Sequence, residues 1–83
     1  MPPAYPNLEE VLPDFYDGGL DQVYDETFEH VFLKPRLKAR HPEATVIRFC
    51  GGRQNYETGA YTNRTVQVWR GTSLINTYKY GRQ

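Results

Sequence analysis

The sequence predicts an α+β fold, in which a short N-terminal helix and a longer amphipathic helix, with room for a short third, pack on a three- to four-stranded antiparallel β-meander. Three observations carry this. Apolar residues recur at helical spacing from Leu20 to Phe32, the pattern turns strand-like from Ala44 onward, and glycines punctuate the second half. The 83 residues read as a single domain: an extended arm over 1–7, an acidic helical part over 8–41 and a basic antiparallel sheet over 44–81.

Pro2, Pro3 and Pro6 keep the arm extended. Asn7 followed by Glu10 has the form of a capping box, and Leu8, Val11 and Leu12 supply a short apolar face before Pro13 ends the turn. Asp17-Gly18-Gly19 is a breaker. Beyond it Leu20, Val23, Tyr24, Thr27, Phe28, Val31 and Phe32 share one face of a helix, with Gln22, Asp25, Glu26 and Glu29 opposite. Acidic residues early and Lys34 late suit the helix dipole.

Pro35 would cost that helix a hydrogen bond, so it is placed in the first turn of a second short helix. The alternation through Lys34–Arg40 also fits an edge strand. Leu37, Lys38, Ala39 and Arg40 are all good helix formers, which favours the helix, and His41-Pro42 closes it. Strands are expected over Ala44–Cys50, stopped by Gly51-Gly52; more weakly over Gln54–Tyr61, interrupted at Thr58-Gly59; over Thr65–Trp69; and, after a turn at Gly71-Thr72, over Leu74–Tyr80. A sheet with one apolar face needs a cover, and the Leu20–Phe32 helix is the element long enough to provide it.

Hydrophobic content is only 39%, but aromatic residues reach 14%, so Tyr, Phe and Trp69 must supply the bulk of the core. Cys50 is alone, which excludes an internal disulfide, and no Cys and His ligands stand at zinc spacing. Neither a metal nor a cofactor is expected. The opening residues lack the charged and apolar regions of a signal peptide, no apolar run is long enough to span a membrane, and the expected location is the cytoplasm. Without a secretory route the sequon at Asn63-Arg64-Thr65 is taken as accidental.

Net charge is zero, yet the charges are partitioned. Through Leu33 there are eight acidic residues and no Lys or Arg; all ten basic residues come later, opposed only by Glu43 and Glu57. Such asymmetry points to electrostatic partnering. The first candidate surface is the acidic helix face of Asp21, Gln22, Asp25, Glu26 and Glu29, a ridge of carboxylates that imitates a line of phosphates. The bland reading of the same residues is a solvated flank.

The second candidate is the basic, aromatic sheet, with Arg48, Arg53, Arg64, Trp69, Arg70 and Lys79 as a nucleic-acid surface that joins cations to stacking platforms. On the β alternation Thr65, Gln67 and Trp69 share one face and Val66, Val68 and Arg70 the other, while Leu74, Asn76, Tyr78 and Tyr80 share a face of the last strand. A third set, His41, Glu57, Arg53 and Arg64, has the residue types of a metal-independent ribonuclease, without a diagnostic spacing. Cys50-Gly51-Gly52-Arg53 reads as a strand end and a glycine turn, and His30 has no ligand partner.

These readings favour a small non-enzymatic protein-binding module, an inhibitor or adaptor of the kind phages and mobile elements carry. Its partner would be a larger nucleic-acid-handling protein with a basic groove. Nucleic-acid binding or RNase activity by the sheet is the alternative, and a homo-oligomer is compatible with either.

Overall fold

The computed structural model describes residues 5–12 and 23–81. The expected breaker at 17–19, the expected helix start at Leu20, and Asp14, Asp17, Asp21 and Gln22 lie outside the described residues. The first element, α1 (Leu8–Val11), is capped by the residue the sequence suggests, though at the Glu9 N–H, which Asn7 Oδ1 accepts at 3.0 Å, and not at that of Glu10, which donates to the Asn7 carbonyl. Leu8 and Leu12 are buried, so this single turn is held by what it covers.

The main helical stretch differs from the expectation in position and phase. Asp25 Oδ1 accepts the Phe28 N–H at 2.9 Å, and a π-helical segment, Phe28–Leu33, then runs directly into α2, Lys34–Arg40. The Lys34 N–H reaches back to the Glu29 carbonyl, one residue further than in an α-helix. Pro35 supplies the reason for a wide turn at this point: it has no N–H to give Val31 and its ring crowds that carbonyl. The segment 34–40 is therefore helix and not an edge strand, with Pro35 in its first turn as expected, and it follows the π-helical segment without a break.

The extra residue in the turn shifts the buried stripe. Phe28, Glu29, Leu33 and Leu37 face the core, whereas Val23 and Val31, both expected inside, are exposed, Val31 by 69%. Leu37, which falls off the expected stripe, is fully buried.

The sheet has three antiparallel strands in the order β1-β4-β5: β1 (Val46–Cys50), β4 (Arg64–Arg70) and β5 (Ser73–Tyr80). Between β1 and β4 the chain makes a separate hairpin of β2 (Arg53–Gln54) and β3 (Tyr61–Thr62), so the expected strand over 54–61 is a hairpin and the meander is interrupted by it. The Tyr61 N–H donates to the Tyr24 carbonyl at 2.8 Å and ties the hairpin to the entry of the helix. At the far edge the Lys79 N–H donates to the Pro6 carbonyl at 3.0 Å, and Asn7 bridges Lys79 in parallel.

Helix and sheet enclose a core of Tyr24, Phe28, Leu33, Leu37, Ile47, Val66, Val68, Tyr78 and Tyr80, joined by Leu8 and Leu12. Phe28 stacks on Phe32 with ring centroids 4.9 Å apart and meets Tyr24 edge-on at 5.2 Å. A bulge at Val68/Trp69 admits Ile75 as an extra residue of β5, and Ile75 packs toward the core. The same bulge moves Leu74 to the face opposite Tyr78 and Tyr80, which corrects the simple alternation expected for this strand. No helix among the described residues is long and apolar enough to cross a membrane.

The junction from β1 into the hairpin depends on glycine. Gly51 and Gly52 both have positive φ, and a Cβ on Gly52 would lie 2.2 Å from the Thr62 carbonyl oxygen. Gly71 in the β4–β5 turn also has positive φ but faces open space. Gly71→Ala should therefore cost about 1–2 kcal/mol, the left-handed penalty alone. Gly52→Ala should cost substantially more, because the hairpin must also move. Urea unfolding midpoints of the two variants provide the comparison; equal losses would contradict the packing described here.

Candidate functional site

The most constrained cluster of the molecule is internal. Glu29 is 1% exposed, which overturns its expected place on an acidic outer face. Leu33 and Leu37, one and two turns further on, are buried with it, so its position belongs to the apolar stripe. Its charge is answered from the sheet: Arg64 donates from Nε to Oε2 at 2.8 Å and from Nη2 to Oε1 at 3.3 Å, and the Tyr80 hydroxyl donates to Oε2. Arg64 also donates from Nη1 to the Gly51 carbonyl at 3.0 Å, and its guanidinium lies 3.8 Å from the centre of the Tyr61 ring. Burial acts to lower the Arg64 pKa, but the hydrogen bond and charge of Glu29 outweigh it and hold the guanidinium charged. Burial, reinforced by Glu29, raises the Tyr80 phenol far above its ordinary value, against the opposing pull of Arg64.

A second polar contact lies two residues back on β5. His41, buried at the end of α2, shares a hydrogen bond of 2.8 Å between Nε2 and the Tyr78 hydroxyl, and Nδ1 is 3.7 Å from the Glu43 carboxylate. The ribonuclease-like set does not converge. His41 is engaged by Tyr78 and Arg64 by Glu29, while Arg53 and Glu57 stand exposed on the β2–β3 hairpin. Asn55 organises that hairpin by accepting the Glu57 N–H at 2.8 Å, and Tyr56 at its tip is 93% exposed.

Of the acidic ridge three members are described. Asp25 is half-buried and caps the helix, Glu29 is inside, and only Glu26 stands out in solvent, 3.8 Å from the His30 imidazole. Asp21 and Gln22 lie outside the described residues.

The sheet surface that faces away from the helix is organised differently. The register sets three rows across the strands: Val46–Trp69–Leu74, Arg48–Gln67–Thr77 and Cys50–Thr65–Lys79. Successive rows are about 7 Å apart and neighbouring strands about 4.8 Å. Val46 and Leu74 are 50% and 47% exposed around the half-buried Trp69, whose indole N–H donates to Gln67 Oε1 at 3.2 Å. Arg48 and Lys79 are exposed, and no carboxylate among the described residues lies on this face. Of the sheet residues singled out from sequence, Arg48, Trp69 and Lys79 thus come together. Arg64 lies on the other face, Arg53 on the hairpin, and Arg70 at the exposed end of β4.

Sequence reasoning missed the Glu29–Arg64–Tyr80 cluster. Its available signal was the fourfold spacing Glu29–Leu33–Leu37, masked by the more regular stripe through Val23, Thr27 and Val31. No family model, curated protein or solved structure matches the chain.

Two expectations follow from the buried cluster. Glu29→Ala strands the half-buried Arg64 guanidinium and the buried Tyr80 hydroxyl together and should cost about 3–5 kcal/mol, in contrast to an exposed helix carboxylate. A urea titration in which Glu29→Ala matched Glu26→Ala would refute the burial. For Tyr80 the sign is set by its raised pKa. Below pH 10 the phenol is protonated in both states and its contribution is complete. Above pH 10 the unfolded chain ionises first, so stability falls by about 1 kcal/mol from this group between pH 10 and 11. The stability-against-pH slope of Tyr80→Phe between pH 10 and 11 should be shallower by that amount; identical slopes would remove Tyr80 from the linkage.

Proposed function

We propose that the chain is a non-enzymatic binding module whose working surface is the open face of the β1-β4-β5 sheet, and that its ligand is single-stranded nucleic acid. The observation that carries this reading is the placement of Trp69, Arg48 and Lys79 on one face without an intervening carboxylate among the described residues. An indole flanked by apolar neighbours is a platform for a base, and cations set one and two rows away can meet the backbone that follows. Gln67, Thr65 and Thr77 between them are short polar groups suited to sugar and base edges. The acidic ridge that imitates nucleic acid is the less favoured reading, because two of its described members, Glu29 and Asp25, are engaged by the fold itself.

Trp69 is the only tryptophan, so its fluorescence reports the site directly. Titration with a short oligothymidylate should quench it, and added salt should release the strand. Trp69→Ala should weaken binding by about 1–3 kcal/mol, the contribution of one stacked base. Arg48→Gln with Lys79→Gln should reduce the logarithmic salt dependence by about 1.4, two phosphates' worth for a single strand. Absence of quenching with both DNA and RNA oligomers at low salt would overturn the reading and leave the Val46–Trp69–Leu74 row to a protein ligand.

A further inference from the structure

At the Lys79 end of the open face the N-terminal arm, the β3–β4 connection and the end of β5 surround a recess of about 140 Å³. It is lined by Tyr5, Asn7, Asn63, Thr65, Lys79, Tyr80 and Gly81, residues that between them carry one ammonium, an aliphatic hydroxyl and two carboxamides. Among the described residues no carboxylate side chain lines it. The Oδ1 of Asn7 already accepts the Glu9 N–H, so what Asn7 has left to offer is its amide donors. Asn63 is the one described residue other than glycine at positive φ (+53°), a conformation that asparagine tolerates better than most residues. One cation and several donors in a space this small suit a compact, acceptor-rich anion. A volume of about 140 Å³ lies below the range of pockets that enclose a whole small molecule, and is on the scale of one phosphate with its waters.

The recess lies at the end of the Cys50–Thr65–Lys79 row, where the arm closes over the edge of β5 through Pro6 and Asn7. A strand that follows the face from Trp69 past Lys79 reaches the end of the ladder there, at the Arg64–Tyr80 pair. A terminal group therefore fits the recess better than an internal diester.

We propose that this recess is a phosphate-monoester site, filled by the terminal phosphate of a bound strand or by a free nucleoside monophosphate, with Tyr5 positioned to stack on the adjoining base. The inference rests on the open-face reading for the strand but not for the free nucleotide, and the experiment separates the two. Fluorescence polarisation compares oligothymidylates bearing a 5′-phosphate, a 3′-phosphate or neither. In parallel, amide chemical shifts are followed during titration with thymidine 5′-monophosphate, thymidine 3′-monophosphate and inorganic phosphate.

One phosphorylated end should bind roughly tenfold more tightly than the unphosphorylated strand, as expected for charge-assisted hydrogen bonds to a terminal dianion. Asn63→Asp, which sets a carboxylate in the recess, should abolish that preference and weaken the unphosphorylated strand much less, through Lys79 alone. Thr65→Val should reduce it. If no oligonucleotide binds, yet a monophosphate shifts the Asn63, Thr65 and Gly81 amides in the wild type and not in Asn63→Asp, the recess stands and the open-face reading falls. Equal affinity for all three strands together with amides unmoved by monophosphate and inorganic phosphate overturns the site, whatever the open face binds. A preference that survives both substitutions overturns it as well.

Discussion

A carboxylate taken out of water must be met by charge and donors, and in this fold the requirement of Glu29 organises what surrounds it. An unpaired ion in the interior is too costly to keep, so the helix can dock only where Arg64 and Tyr80 reach Glu29 together. Those two residues are directly opposite each other in the β4–β5 ladder. A slip of one residue between the strands would turn one of them to the far face and leave Glu29 half-answered. The cluster therefore sets strand register and helix position at once, and the Gly51 carbonyl draws the start of the hairpin into the same arrangement. Its partners are 35 and 51 residues away in the chain, so the arrangement completes only when the last strand is in place.

The tyrosines of β5 show how a chain with modest aliphatic content fills its interior. Tyr78 and Tyr80 place their rings against the sheet core and deliver their hydroxyls to titratable groups of the helical layer, His41 and Glu29. Each thus contributes apolar area and satisfies a polar neighbour. The tyrosines, which composition assigns to the core, are divided: Tyr78, Tyr80 and Tyr24 belong to it, whereas Tyr5 and Tyr56 stand in solvent. The charge partition is divided in the same way, since one acidic residue of the front and one basic residue of the rear neutralise each other inside the molecule.

The α+β class, the Asn7 cap, the helical state of 34–40 and the three main strands were legible because each rests on local chemistry: spacing, a capping side chain, helix formers, β-branched runs and glycine stops. What was not legible depended on backbone irregularities. The wide turn before Pro35 shifts the helix by one position, which sends Val31 out and brings Glu29 and Leu37 in. The bulge at Val68/Trp69 shifts β5 in the same sense and takes Leu74 to the opposite face. An inserted residue changes the outcome of every periodic argument downstream of it, yet leaves composition and propensity untouched. The open-face group of Arg48, Trp69 and Lys79 was foreseen as a set of residue types. Which of the six basic and aromatic candidates share a surface was decided by the ladder pairings alone.

The contact between the arm and β5 also bears on how the sheet ends. A sheet this rich in β-branched and aromatic residues presents unpaired backbone groups along its outer strands, which invites other chains to add on. On one side Pro6 and Asn7 occupy the Lys79 end of β5, and the extra residue Ile75 bends the remainder. On the other side β1 is five residues long, carries the charged Arg48 and stops at a glycine pair that turns the chain away. Neither border offers a long, flat template. The molecule can therefore display Val46, Trp69 and Leu74 on its surface while its own geometry discourages the stacking of strand on strand that leads to fibres.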